Sequence, residues 1–402
     1  MATARPAPRI GLALAGGGPL GATYEIGALC ALQESLPCLA LNHLQGYVGV
    51  SAGAFIAAAL ANGLSPRQLA AGFIDGTGPA QDRINPAVFV QPHWAEFKQR
   101  AATLPGLLLR AAGRAVSRRH SWLSVAEALG QALPTGLFSH EPLQAELQRL
   151  FSAPGRSDDF RQLAHKLVIV ATDLDTGQAA PFGMPGWRDV PISQAVAASA
   201  ALPGLYAPVL INGHWYADGA LKKTLHASVL LEDRLDLIIC LNPLVPFDAS
   251  QAPAPRPGAG IPKLVDGGLP VVLSQTFRSL IHSRLELGLK GYAGSHPQTD
   301  IVLLEPDHRD AQLFLANTFS YSRRRLMAEH AYQRTRADLR ARRSLLSRQF
   351  ERHGLKLDHA ALDDPARTLL GSAAAQPPVL VHALRRLDEV LNDLERELAP
   401  AG

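Results

Sequence analysis

The stretch Gly49-Val50-Ser51-Ala52-Gly53 has the residue types and spacing of a nucleophile elbow, G-x-S-x-G. In such an elbow a serine lies on a sharp strand-to-helix turn, and the helix N-terminus beneath it favours developing negative charge. Gly49 and Gly53 would leave room for the tight turn and for close approach of a substrate. The pattern is short, so by itself it leaves open both a nucleophilic Ser51 and an ordinary packing turn.

The residues around this stretch predict the strand and helix that an elbow needs. Residues 44–48 can form a short buried strand, and residues 54–61 are rich in helix formers and stop at Asn62-Gly63. Upstream, residues 9–15 are an uninterrupted apolar run, which predicts a strand buried on both faces. A glycine loop and a helix through residues 24–32 follow, so this region predicts a βαβ unit.

The glycine loop, Gly16-Gly17-Gly18-Pro19-Leu20-Gly21, fits more than one pattern. A dinucleotide site would need an acidic residue about 20 positions later, but no Asp or Glu occurs between Glu34 and Asp75. A P-loop is excluded because no Gly-Lys-Ser/Thr follows. The remaining chemical interpretation is an oxyanion hole formed by the backbone N–H groups of Gly16, Gly17 and Gly18. A tight turn without a ligand is the alternative.

A serine nucleophile needs a base or an equivalent hydrogen-bond acceptor. An α/β-hydrolase would supply an Asp and then a His, and the later histidines include His226, His282, His296 and His308. However, several strands precede the nucleophile in that fold, whereas only about one βα unit precedes Ser51. Asp218, in Asp218-Gly219-Ala220, is another candidate, although a lone Asp-Gly pair is more often a simple turn.

Taken in order, these motifs resemble the patatin-like phospholipase family, which has a glycine-rich oxyanion loop, a G-x-S-x-G elbow and a distal D-G-[AG]. Residues 171–177 and 198–204 resemble the segments between these motifs, so that the likeness covers roughly residues 8–310. The resemblance implies a three-layer α/β fold with a mostly parallel sheet and helices on both faces. It also implies a catalytic dyad of Ser51 and Asp218, with no cofactor and no metal.

Two departures from the family pattern are present. Pro19 stands where the family often has Arg, and residues 221–225 replace its Asn-x-Pro segment. A second match, Asp266-Gly267-Gly268, is rejected as the catalytic aspartate because it lacks the preceding segment that residues 198–203 provide for Asp218.

The resemblance predicts a lipid acyl hydrolase that acts on lipid or another hydrophobic ester through an acyl-enzyme. The alternatives are a lipid-surface-binding protein that keeps the scaffold without catalysis, and a thioesterase or other ester hydrolase. We expect a hydrolase domain over residues 8–320, with a helical insertion at about 80–150, and a basic helical C-terminal extension over 321–402.

Composition narrows the class of protein. Apolar residues make up 47% and charged residues 18% of the 402 residues, which favours a globular chain. The net charge of +4 is too small to imply nucleic-acid binding, and the arginine-rich segment contains no recognised nucleic-acid-binding module, which also disfavours it. Three sparse cysteines and the lack of an apolar run of about 18 residues predict a cytoplasmic protein, at most peripheral to a membrane.

Two regions have an uneven charge. No acidic residue occurs between Glu96 and Glu127, where leucines are interleaved among basic residues, and residues 321–354 carry ten arginines against three acidic residues. Either region could contact anionic lipid, or be an ordinary helix with a solvated face. A heptad of leucines from Leu384 to Leu398 could mediate dimerisation or pack back on the domain.

Overall fold

The computed structural model describes residues 7–116, 130, 133–223, 225–250, 263–314, 316 and 323–369. The strands are β1 Ile10–Leu14, β2 Gly46–Gly49, β3 Gly136–Phe138, β4 Lys166–Asp173, β5 Ala179–Phe182, β6 Gly204–Tyr206, β7 Val209–Ile211, β8 His214–Asp218, β9 Leu237–Leu241 and β10 Asp300–Leu304. The helices are α1 Gly18–Ser35, α2 Ala52–Ala61, α3 Pro66–Leu69, α4 Trp94–Val116, α5 Glu141–Phe151, α6 Ile192–Ser199, α7 Ser228–Leu231, α8 Gly268–Ser295, α9 Ala311–Phe314, α10 Arg324–Ala341, α11 Arg343–Arg352 and α12 His359–Asp363.

The main sheet has the order β10-β9-β1-β2-β4-β8-β7, with β5 also paired to β4. The five strands from β10 to β4 are parallel, whereas β5, β7 and β8 pair in antiparallel fashion. Every residue of β1, β2 and β9 is buried, which explains why their sequences are continuous apolar or glycine runs instead of alternating ones. The predicted mostly parallel sheet is therefore confirmed.

Helices cover both faces of this sheet. Leu12, Leu14 and Ile239 point into a core shared with α1, α2, α6 and α10. The alternate residues Ala13 and Ile238 point into a second core that is shared with α7 and α8. Two separate cores on opposite faces of one sheet make three layers, as the sequence predicted.

The two edges of β4 are used differently, and this arrangement positions the site. Ile169 pairs with Gly49 of β2 and also with a residue of β5. Ala171 pairs with Asp218 of β8 and also with a residue of β5. Because a strand offers one edge to each side, β5 occupies one edge of β4, and β2 and β8 share the other. The carboxyl ends of β2 and β8 therefore meet end to end.

Helix α10, in the C-terminal part of the chain, is packed into the first core. Ala328, Ala331 and Tyr332 are fully buried, and a Cβ on Gly27 of α1 would lie 2.4 Å from the Ala328 carbonyl oxygen. Arg336 is only 2% exposed and donates hydrogen bonds to backbone carbonyls that follow α12. The domain boundary at residue 320 stays a prediction. Helix α10 nevertheless belongs to the helical layer on one face of the sheet, because its buried residues are part of the first core.

The predicted insertion at about 80–150 contains α4, β3 and α5. Helix α5 buries Leu143, Leu147 and Leu150, and α4 has Pro105 inside it. Residues 117–122 of the predicted basic region and the heptad from Leu384 to Leu398 lie outside the described residues. Among the helices of the described ranges, none is both long enough and apolar enough to cross a membrane.

Candidate active site

Ser51 lies on the turn between β2 and α2. Its backbone has φ 54° and ψ −120°, a left-handed conformation that is unusual for a residue other than glycine. A Cβ on Gly49 would lie 2.3 Å from the Gly53 carbonyl oxygen, and one on Gly53 would lie 2.5 Å from the Ala15 carbonyl oxygen. The turn therefore requires glycine at both positions, and its geometry is that of a strained strand-to-helix elbow.

Ser199, at the last turn of α6, holds this strained turn in place. Its Oγ accepts a hydrogen bond from the Ser51 backbone N–H at 2.8 Å and donates one to the Val170 carbonyl of β4 at 2.7 Å. Ser199 is fully buried. Ser199 lies in the family-like segment of residues 198–204, but a single serine among alanines carries no signal of this role in the sequence.

The glycine loop lies directly against Ser51. A Cβ on Gly16 would be 3.1 Å from the Ser51 Cβ and 3.7 Å from its Oγ. Gly18 has φ 61° and begins α1, and the first N–H groups of a helix have no acceptor within the helix. The loop formed by Gly16, Gly17 and Gly18 therefore brings a helix N-terminus and its positive dipole end next to the serine.

Asp218 ends β8, facing the end of β2. Its Oδ1 accepts a hydrogen bond from the Ala220 N–H at 2.8 Å, and its backbone N–H donates to the Ala201 carbonyl at 2.9 Å. Gly219 must be small, because a Cβ there would lie 2.1 Å from the Val170 carbonyl oxygen. The structure thus brings together Ser51, Asp218 and the glycine loop, all three predicted from the sequence. By contrast, Asp266 is exposed.

Burial dominates the electrostatics of Asp218, which is 2% exposed. Loss of hydration raises the pKa of its carboxyl to about 6, although hydrogen bonds from Ala220 and from the Ser51 side chain act in the opposite direction. A carboxyl with this pKa is largely ionised at neutral pH and is more basic than an ordinary aspartate.

The candidate histidines make other contacts. Burial lowers the pKa of His226 to about 4, so this ring is neutral at neutral pH. His282 and His308 pack edge to face with ring centroids 4.9 Å apart, and His296 hydrogen bonds to the serine before it. None of these contacts involves Ser51, whereas the Ser51 side chain hydrogen bonds to the Asp218 carboxyl.

The sequence model of the family described as patatin-like phospholipase matches residues 12–231, more than half of the chain. The chain belongs to the patatin-like phospholipase family. The matched region of this family member runs from β1 through α7 and includes the glycine loop, the elbow, Ser199 and Asp218.

Solved structures that the chain matches include VipD from Legionella pneumophila, with 19% identity and a TM-score of 0.28 over 62% of this chain and 52% of VipD. ExoU of Pseudomonas aeruginosa, solved with SpcU, has 17% identity and a TM-score of 0.27 over 71% and 53% of the two chains. Human GIVD cytosolic phospholipase A2, solved with methyl gamma-linolenyl fluorophosphonate, has 15% identity and a TM-score of 0.30 over 85% and 59%. This patatin family member therefore spans between half and three fifths of the structures it matches.

Proposed function

We propose that this protein is a lipid acyl hydrolase that cleaves carboxylic esters with a dyad of Ser51 and Asp218. The observation that carries the proposal is the meeting of β2 and β8 at one edge of β4. This arrangement puts a serine on a strained elbow beside a buried carboxylate and a helix N-terminus. Membership of the patatin-like phospholipase family supports the same reaction class.

In the proposed reaction, the Asp218 carboxylate accepts the proton of the Ser51 hydroxyl while Ser51 Oγ attacks the ester carbonyl carbon. The negative charge on the carbonyl oxygen is stabilised by the N–H groups of Gly16, Gly17 and Gly18. Collapse of this intermediate releases the alcohol, which takes the proton from Asp218 and leaves an acyl-Ser51. Water then attacks the acyl-enzyme through the same two steps and releases the fatty acid.

Catalysis requires the elbow to stay rigid while charge moves. Ser199 contributes by holding the Ser51 N–H, and Ala201 contributes by holding the Asp218 N–H. Preorganised groups of this kind lower the barrier because they do not reorient during the reaction. The dyad itself uses no metal and no cofactor.

A fluorophosphonate probe and an ester panel test this function. Wild type should form a covalent adduct at Ser51 and hydrolyse phospholipid and p-nitrophenyl esters, whereas Ser51→Ala and Asp218→Asn should do neither while keeping their circular dichroism spectra. Failure of wild-type Ser51 to react with the probe, together with no turnover of any ester, would point to the lipid-binding alternative. Preference for acyl-CoA over oxygen esters would point to a thioesterase.

A peripheral contact with anionic membranes would require exposed arginines in the basic C-terminal region that are free to bind lipid head groups. Several arginines of the basic C-terminal region are already engaged within the fold, since Arg324 donates to the Ile74 carbonyl and Arg342 pairs with Asp338. Co-sedimentation with vesicles of phosphatidylglycerol, compared with vesicles of phosphatidylcholine, tests this contact. Equal binding to both vesicle types would contradict an electrostatic contribution.

A further inference from the structure

A second cluster of polar residues lies at the same carboxyl edge of the sheet, on the far side of β9 from the dyad. It consists of His282 in α8, Glu305 directly after β10, and His308 in the loop that follows. One ligand atom from each residue lies within 4.8 Å of the other two. The mechanism proposed above uses none of these residues.

The two imidazole rings are held in defined orientations. His308 Nδ1 lies 3.0 Å from the Pro246 carbonyl oxygen, and since a carbonyl only accepts, Nδ1 carries the proton and Nε2 keeps its lone pair. His282 Nε2 lies 3.3 Å from a carboxylate oxygen of Glu286, one turn further along α8. In each ring, therefore, one nitrogen contacts an oxygen that orients the ring. The other nitrogen can bind a metal ion.

Glu305 is the third residue of the cluster, and it lies beside His282. His282 Nδ1 is buried, has no hydrogen-bond partner within the described part of the chain, and lies 4.0 Å from Glu305 Oε2. The same Glu305 oxygen accepts a hydrogen bond from Asn242 Nδ2 at 3.3 Å. Metal-binding histidines commonly donate their second N–H to a carbonyl or carboxylate, and ligating carboxylates are themselves hydrogen bonded. All three residues have this outer support.

We propose that His282 Nδ1, Glu305 and His308 Nε2 form a site for one Zn²⁺ ion. Two imidazole nitrogens and one carboxylate are a typical zinc donor set, and they would leave a fourth position for water. With bonds of about 2.0–2.1 Å, the ligand atoms of a tetrahedral site lie about 3.4 Å apart. The 4.0 Å separation between His282 and Glu305 therefore needs only a small side-chain adjustment.

Aromatic packing between His282 and His308 is the simpler explanation of the cluster, because their rings make an edge-to-face contact. That contact accounts for the closeness of the rings. It does not account for the buried His282 Nδ1, which has no hydrogen-bond partner in the described part of the chain and lies 4.0 Å from a Glu305 oxygen.

The site has a structural use that is independent of ester hydrolysis. Helix α8 has 28 residues, yet Leu285 is its one buried residue. A metal that binds His282 of this helix and two residues after β10 would attach a weakly packed helix to the sheet. Because metal binding stabilises the folded state, Zn²⁺ should raise the melting temperature.

The test uses the untagged full chain, treated with a chelator and dialysed. Isothermal titration with Zn²⁺ should give one ion per chain, and Co²⁺ should give the visible spectrum of a tetrahedral site. His282→Asn and Glu305→Gln each remove a proposed ligand and should weaken Zn²⁺ binding at least tenfold. Glu286→Gln keeps all three ligands but removes the carboxylate that orients His282. It should weaken Zn²⁺ binding by roughly 10–100-fold, which is the usual effect of losing a residue that orients a metal ligand. Zn²⁺ should raise the melting temperature of wild type and not of the two ligand variants.

The matched control is His214→Asn, because His214, Asp173 and Asp175 are a second group with metal-ligand spacing and His214 is half exposed. This variant should bind Zn²⁺ as wild type does. Failure of wild type to bind Zn²⁺, equal binding by His282→Asn and Glu305→Gln, or loss of binding in His214→Asn would each overturn the proposal. Circular dichroism spectra establish that the variants are folded.

Discussion

The Ser199 hydroxyl accepts a hydrogen bond from the backbone N–H of Ser51 at 2.8 Å, so the proposed nucleophile is held by a residue 148 positions away in the chain. Two residues later, the Ala201 carbonyl accepts a hydrogen bond from the backbone N–H of Asp218. One short segment at the end of α6 therefore fixes both members of the proposed dyad. The relative position of Ser51 and Asp218 depends on this segment as much as on the sheet.

Replacing Ser199 by alanine tests this dependence. Ser199→Ala leaves the buried N–H of Ser51 without an acceptor, which should lower the free energy of unfolding by about 1–3 kcal/mol. Because small misplacements of reacting groups cost much rate, kcat should also fall by roughly 10- to 100-fold with little change in KM. Urea unfolding and steady-state kinetics on a soluble ester measure the two effects.

Ser193→Ala is the matched control for this variant. Ser193 lies in the same helix, is also buried, and donates a hydrogen bond to Asp158 at 2.7 Å, far along the helix from Ser51. Its loss should destabilise the fold to a similar degree and leave kcat unchanged. An equal fall in kcat in both variants would mean that Ser199 acts only through global stability.

The activity should depend on pH through Asp218. The carboxylate form accepts the proton of Ser51, and burial raises the pKa of this group to about 6. We therefore expect kcat/KM to be constant above pH 7 and to fall below about pH 6, approaching a tenfold decrease per pH unit. A profile measured on a neutral p-nitrophenyl ester that stays flat from pH 8 to pH 5 would contradict the role of Asp218 as base.

The same pKa shift predicts a change in stability. The carboxyl has an ordinary value of 3.8 and about 6 in the fold, so the folded state binds the proton more tightly. Ionised Asp218 thus destabilises the fold at high pH, by on the order of 3 kcal/mol, and this cost is relieved as the pH falls.

Asp218→Asn removes the ionisation and keeps an oxygen that can accept the Ala220 N–H. At pH 8 this variant should therefore be more stable than wild type, and the difference should be about half as large at pH 5. Urea unfolding at the two pH values measures it. A variant less stable than wild type at pH 8 would show that the ionised carboxylate makes stabilising contacts that outweigh its burial.

Gly219 provides a steric test of how Asp218 is positioned. Gly219→Ala would place a Cβ 2.1 Å from the Val170 carbonyl oxygen, so the turn after β8 must move away from β4. We expect a loss of about 1–3 kcal/mol in stability, together with a large loss of kcat because Asp218 moves with the turn. Gly291→Ala in α8 is the control, since no atom lies within 4 Å of its added Cβ and alanine should stabilise the helix by roughly 0.5–1 kcal/mol.

The parallel strands were predictable because they are buried on both faces. Residues 9–15 were predicted as a strand buried on both faces, and they contain β1, whose five residues are all buried. The proposed elbow could also be predicted from the sequence. The close contacts at positions 49 and 53 require glycine, and this requirement produces the G-x-S-x-G pattern.

Other features left no comparable pattern. The antiparallel strands β7 and β8 are short and partly exposed, so no apolar run marks them. The role of Ser199 comes from its position in space and not from its neighbours in sequence. Helix α10 was interpreted from its arginines, but its buried face includes Met327, Tyr332 and Leu339, which a count of charges does not detect.

The contact between Gly27 and Ala328 has a consequence for biosynthesis. Helix α1 leaves the ribosome roughly 300 residues before the helix that covers it, so during translation one apolar face of α1 has no permanent cover. A nascent chain that ends before α10 already contains Ser51, Asp218 and the glycine loop. This chain still exposes an apolar surface on α1 to which chaperones or other unfolded chains can bind. Folding of the region around Ser51 therefore competes with aggregation until α10 has been synthesised.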